Sequence, residues 1–172
     1  AQAPTAYMPG HIIGFEIDSP ETGEALKGPY TVTRLAAEDE FDIVYRVIPD
    51  GRKTPFMATL NGGDAVRFGG RFGTPIAEGI APDVDKVVGV ATGAGLGPLI
   101  GYAESVLAAP DGPERIELFC GFRDLADVCG GEAMSQLIES GRGRVTFLPC
   151  ISKPMACTAV GLANMKPPAD SP

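Results

Sequence analysis

Residues 86–109 read KVVGVATGAGLGPLIGYAESVLAA, and this stretch decides the fold. Its opening, 87–91, is a short apolar run of the kind that makes a buried strand. A glycine-rich turn follows: Thr92-Gly93-Ala94-Gly95-Leu96-Gly97-Pro98. Beyond it Leu99, Tyr102, Ala103, Val106 and Leu107 recur at spacings of three and four, which predicts a helix over 98–109. Pro98 suits the first turn of that helix, where its missing N–H costs nothing. Strand, glycine turn and helix together present backbone N–H groups to an anion. Glycine also lets a phosphate approach the backbone, because no Cβ stands in the way. A glycine cluster alone is a weak signal, since a tight loop has the same composition. Between this strand and this helix it points to a dinucleotide site.

Downstream, the same alternation continues. Residues 115–120 (RIELFC) read as a strand, 131–140 (GEAMSQLIES) as a helix and 144–148 (RVTFL) as a third strand. Glu132 lies near the helix start, where the helix dipole favours a negative charge. Strands alternating with helices mean a parallel sheet. Upstream the period changes. Strands are predicted over 11–17, 29–35, 41–48 and 65–68, with a polar loop over 18–28. A turn is predicted at Pro49-Asp50-Gly51, followed by a short helix over 54–60 with Thr54 as its N-cap and Pro55 behind it. Four short strands at regular spacing suggest a small antiparallel barrel. The expected architecture is therefore α+β in two domains. Residues 1–80 form an antiparallel β-barrel, and 84–172 form a parallel, Rossmann-like α/β half that is incomplete at its C-terminal end. The boundary falls in 79–85, and the closing KPPADSP reads as an extended arm.

Composition bounds the function. The chain has 172 residues, 44% hydrophobic and 21% charged, as a globular protein does. A net charge of -8 argues against nucleic acid as a partner, because a phosphate-tracking surface needs a basic stripe. No run of eighteen apolar residues exists, so any membrane association is expected to be peripheral at most. The cysteines, Cys120, Cys129, Cys150 and Cys157, form no CxxC pair; free thiols in a reducing compartment are expected, and no metal site. His11 is the only histidine, which argues against a Ser-His-Asp or Cys-His enzyme.

With its barrel, its parallel half and its ATGAGLGP turn, the chain resembles the ferredoxin–NADP reductase superfamily over roughly residues 8–154. Pro9-Gly10-His11 is similar to the family's Pro-Gly-Gln, and Pro29-Tyr30-Thr31-Val32 to its flavin motif Arg-x-Tyr-Ser. Gly51-Arg52-Lys53-Thr54, with Leu60 and Gly63-Asp64, resembles the segment that helps hold the flavin pyrophosphate. Gly69 to Gly73 resembles the Gly-Pro-x-Gly turn, and 91–98 the Gly-Thr-Gly-x-Ala-Pro region. Phe119-Cys120-Gly121-Phe122-Arg123 with Asp127 resembles the second nucleotide strand and its loop, and Ile151-Ser152-Lys153-Pro154 the Ser-Arg-Pro turn. There are departures: Gly28 stands where the flavin motif has arginine, with Lys27 beside it, and the closing Cys-Gly-Pro and terminal aromatic are missing.

The resemblance implies FAD on Tyr30, Thr31, Gly51 and Thr54, and NADP or NAD on Thr92, Gly93, Gly95, Arg123, Ser152 and Lys153. Tyr30 would stack on the isoalloxazine; a strand tyrosine in a barrel core reads the same way. Arg123 and Lys153, with no acidic residue closing the second strand, suit a 2′-phosphate. Arg123 could equally pair with Asp124 or Asp127. Two functions follow. One is a flavoprotein oxidoreductase moving electrons between NAD(P)H, FAD and a carrier protein. The other is a non-catalytic relative with a structural or docking role in a larger redox or photosynthetic complex, in a plastid stroma or cytoplasm. The missing closing motif leads to the expectation of poor hydride transfer, and the apolar stretch 156–165 to that of contact with another subunit.

Overall fold

The computed structural model describes residues 7–19, 22–37, 40–109 and 112–153, with the backbone alone at 35–37. The first half is an antiparallel sheet of β1 (Ile12–Asp18), β2 (Ala25–Ala37), β3 (Glu40–Ile43) and β4 (Arg67–Phe72), in the order β3-β2-β1-β4. Period-two alternation builds its core. Ile13, Phe15 and Ile17 of β1 point inward, with Leu26 and Val32 of β2 and Met57 of α1 (Thr54–Met57). The sheet curls, and its edge strands β3 and β4 meet through side chains. The Phe41 and Phe68 rings are 5.0 Å apart at 87°, and Tyr7 packs on both at 5.0 and 6.1 Å. The expected barrel is thus closed by aromatic packing, while its hydrogen-bonded ladder stays open between β3 and β4.

Four local expectations are corrected. The strand predicted over 65–68 lies at Arg67–Phe72 and runs through the expected glycine turn, because Gly69 and Phe72 pair with β1. β2 begins at Ala25, inside the predicted loop, because 25–28 pair with 15–18 of β1. The strand predicted over 41–48 ends at Ile43. The next amide, Val44 N–H, donates to the Thr33 hydroxyl at 3.1 Å, and 44–48 leave the sheet. Helix α1 is a single turn whose N-cap is Lys53. The Thr54 hydroxyl instead accepts from Ile48 N–H at 2.9 Å and fastens the preceding turn.

The second half is a parallel sheet, β5 (Lys86–Thr92), β6 (Arg115–Phe122) and β7 (Val145–Ile151) in sequence order, joined by α2 (Leu96–Ala108) and α3 (Gly131–Ser140). Both helices pack into one core with Ile116, Leu118, Cys120 and Phe122 of β6. The opposite sheet face carries Val88, Val90 and Leu148, exposed at 51%, 77% and 40%.

Helix α2 also joins the two halves. Side chains at Gly97 and Gly101, one turn apart, would run into Thr33 of β2, so the glycines let helix and strand approach at backbone distance. Arg34 of β2 bridges Asp42 at 2.6 Å and Glu104 of α2 at 3.6 Å.

Candidate functional site

Because β5, β6 and β7 run parallel, Thr92, Phe122 and Ile151 end at one edge of the sheet. A cleft of about 530 Å³ opens there. One wall is Val44, Tyr45 and Arg46 from the antiparallel half; the other is the glycine turn with 121–123, Asp127 and Cys129. Such a crevice beyond the carboxyl ends of the strands is where open α/β sheets place ligands. A second recess of about 390 Å³ shares Thr92 and 121–123 and continues to Cys150 and Ser152.

The glycine turn is shaped for a close approach. Gly93 takes φ +52, and nothing lies within 4 Å of where its Cβ would stand. Its carbonyl accepts from the thiols of Cys129 at 3.6 Å and Cys120 at 3.9 Å, which anchor the turn from within. Burial pushes the Cys120 thiol up, with the nearby Cys129 adding to it, so Cys120 stays protonated as that donor requires. Gly95 is nearly as open, with only Ala91 Cβ at 3.8 Å. Gly97, the third glycine of the cluster, serves the contact with Thr33 instead.

Arg123 lies between the two recesses. The carboxylates that could have paired with it turn elsewhere. Asp124 caps Ala126 N–H at 3.0 Å and lies 3.9 Å from Lys153, and Asp127 lies 3.9 Å from Arg46. Among the described residues Arg123 has no ion-pair partner. The turn at 152–153 is clipped onto this loop: Ser152 N–H donates to Phe122 O at 2.9 Å, Lys153 N–H to Arg123 O at 2.9 Å, and the Ser152 hydroxyl to Arg123 O at 3.4 Å. Thr92, Gly93, Arg123 and Ser152 therefore converge, while Gly95 and Lys153 flank them.

The four residues of the other group lie within the antiparallel half. Tyr30 is half-buried, edge-on to Phe15 at 5.5 Å and Tyr45 at 6.2 Å, and its hydroxyl donates to Met57 Sδ at 3.2 Å. Lys53 Nζ stands 4.6 Å from the centre of its ring. Thr31 follows on β2, opposite Ile12. Gly51 N–H is committed to Ile48 O at 2.8 Å, and the Thr54 hydroxyl, accepting from Ile48, keeps its own proton to donate. Tyr45, Arg46 and Cys129 also line the cleft, and they carry no local signature in the sequence. The first two lay inside an apparent strand, and Cys129 reaches the turn only through tertiary packing.

No protein-family model matches the sequence, and neither does any curated protein. Solved structures do match. The cytochrome b5 reductase domain of Ulva prolifera nitrate reductase aligns with TM-score 0.69 and 21% identity, over 87% of this chain and 64% of that one. A ferredoxin–NADP+ reductase from Neisseria gonorrhoeae, with bound FAD and NADP, gives 0.69 and 18%, over 89% and 61%. A cytochrome P450 reductase from Amycolatopsis gives 0.66 and 26%, over 87% and 44%. The chain has the two-domain fold of the ferredoxin–NADP reductase superfamily. It spans less than two thirds of the length of these three proteins.

Proposed function

We propose that the chain is the flavin- and nicotinamide-binding part of a reductase. FAD lies against the antiparallel sheet, NADP(H) at the carboxyl ends of β5–β7, and electrons pass to a carrier protein or a larger redox complex. The observation that supports this most is the open turn at Gly93, facing a cleft whose other wall is the antiparallel half. Two cofactors that must exchange a hydride have to meet between the halves, and this is where the halves leave space.

The residues present fit both groups. The open backbone at Gly93 and Gly95 receives a pyrophosphate, and Arg123 offers an uncommitted guanidinium to a 2′-phosphate. Tyr30 offers an aromatic face, Thr31 a hydroxyl on the same strand, and the Gly51-to-Thr54 turn a hydroxyl donor. Bound flavin would supply the hydride acceptor and the one-electron steps; the protein binds, orients and excludes water.

A second reading, a docking subunit of a redox or photosynthetic assembly, is favoured by the sheet face at Val88, Val90 and Leu148, which no other described residue covers. Parallel sheets are ordinarily covered on both faces. Stretch 156–165, expected to meet another subunit, lies outside the described residues. Three free thiols among the described residues accord with a reducing compartment such as a plastid stroma or cytoplasm.

Anaerobic titration distinguishes the two readings. The reductase binds one FAD, and added NADPH bleaches it. A protein that binds FAD but is not reduced by NADPH supports the docking role, and one that binds neither nucleotide refutes the proposal.

A further inference from the structure

We infer that Lys53 is the cation that neutralises a flavin phosphate, and that the free protein stores it on the very ring face the flavin would use. The inference rests on the flavin-binding reading above.

Positions 26, 28, 30 and 32 of β2 share the inward face, and Leu26, Tyr30 and Val32 supply side chains there. Gly28 leaves a gap in that row. Lys53, just ahead of α1, reaches across and fills it, and any side chain at position 28 would collide with its Nζ. In the gap Nζ donates to the carbonyl of Lys27 at 3.2 Å and lies 4.6 Å from the centre of the Tyr30 ring.

The neighbouring cations are committed. Lys27 pairs with Glu16 at 2.9 Å and Arg52 with Glu24 at 2.6 Å. Among the described residues no carboxylate pairs with Lys53. Its present contacts, one neutral carbonyl and one ring, are weaker partners than an anion. The stem is flexible, so the ammonium can leave without disturbing β2. A flat ring system settling on Tyr30 displaces it, and a phosphate on the same ligand gives it a better partner. Ring binding and phosphate binding are coupled through one side chain.

This coupling separates flavins by their phosphates. Riboflavin must displace the cation and offers it nothing; FMN and FAD displace it and pair with it. The test measures dissociation constants of riboflavin, FMN and FAD for the full chain and for Lys53→Gln, Lys53→Arg and Lys27→Gln, with circular dichroism confirming the fold of each. Lys53→Gln should weaken FMN and FAD about tenfold and tighten riboflavin, and an unchanged riboflavin affinity would refute storage of the cation on the ring face. Lys53→Arg should keep most of the FAD affinity, and Lys27→Gln should match wild type. Raised salt should weaken FAD binding to wild type more than to Lys53→Gln. Equal loss for all three flavins in Lys53→Gln would reduce Lys53 to a packing role, and unchanged FAD affinity would remove it from the site; either overturns the inference. A wild-type chain that takes up no flavin at all overturns the reductase reading itself.

Discussion

Gly101→Ala tests the contact that sets the cleft. On an exposed helix this change is stabilising by about 1 kcal/mol, because alanine favours the helix. Here the new methyl would overlap the Thr33 carbonyl oxygen, and lie 2.8 Å from its carbonyl carbon and 3.1 Å from Arg34 Cα. All three atoms are backbone, so no rotamer change relieves the clash, and α2 must back away from β2. Overpacking of this kind costs about 1–3 kcal/mol. The upper end applies against fixed backbone, which leaves a net loss of about 2 kcal/mol after the helix gain. For a chain of this size that lowers Tm by roughly 4–8 °C. Gly97→Ala is the internal comparison. Its methyl meets the Thr33 side chain at 2.9–3.0 Å and Val44 Cβ at 3.2 Å. No backbone atom blocks it, but Thr33 is buried and its hydroxyl holds Val44 N–H, so a net loss smaller than at Gly101 is expected. The chain has no tryptophan, so urea unfolding is followed by circular dichroism. A Gly101→Ala protein as stable as wild type, or more so, would refute the close packing of α2 on β2 and with it the shape of the cleft.

Arg123→Gln should weaken NADPH about tenfold while leaving NADH unchanged, and Lys153→Gln should do less, since Asp124 already shares its charge at 3.9 Å; equilibrium dialysis reads both. His11 gives a pH dependence. Burial, aided by the positive charge of Arg71 and opposed by Glu78, holds its imidazole below the ordinary 6.5, and its neutral Nδ1 accepts Met8 N–H at 2.9 Å. The unfolded chain therefore binds more protons just below that value, so stability is lost as pH falls through about 6.5 and the loss ends below the folded pKa. Urea midpoints between pH 7 and pH 5 should fall in wild type and flatten in His11→Gln; parallel slopes would remove His11 as the cause.

The parallel half was legible where local signals agreed. The period of 3.6 in 99–107, Pro98 behind the glycines and the amphipathic 131–140 each pointed to the element that forms. Legibility failed where distant atoms decide. Ala25 to Gly28 lack strand formers, and only their partners on β1 make them a strand. Val44 to Ile48 alternate as a strand does, yet the Thr33 hydroxyl takes the first amide and Arg46 ends in the cleft. Gly97 read as part of the phosphate turn because nothing in its neighbours announces Thr33 across the interface. In the candidate site, Gly93 and Arg123 could be named from the chain alone, since a glycine turn and a cation after a strand have local signatures. Lys53 could not, because its position depends on a gap twenty-five residues earlier, at Gly28.

The central claim is that this fold carries a flavin, and the visible absorption spectrum tests it most directly. The full chain, incubated with FAD and passed through gel filtration, should elute yellow with about one flavin per chain, and Tyr30→Ala should lose most of it. A colourless protein, with FAD eluting wholly in the small-molecule fraction, would contradict the account.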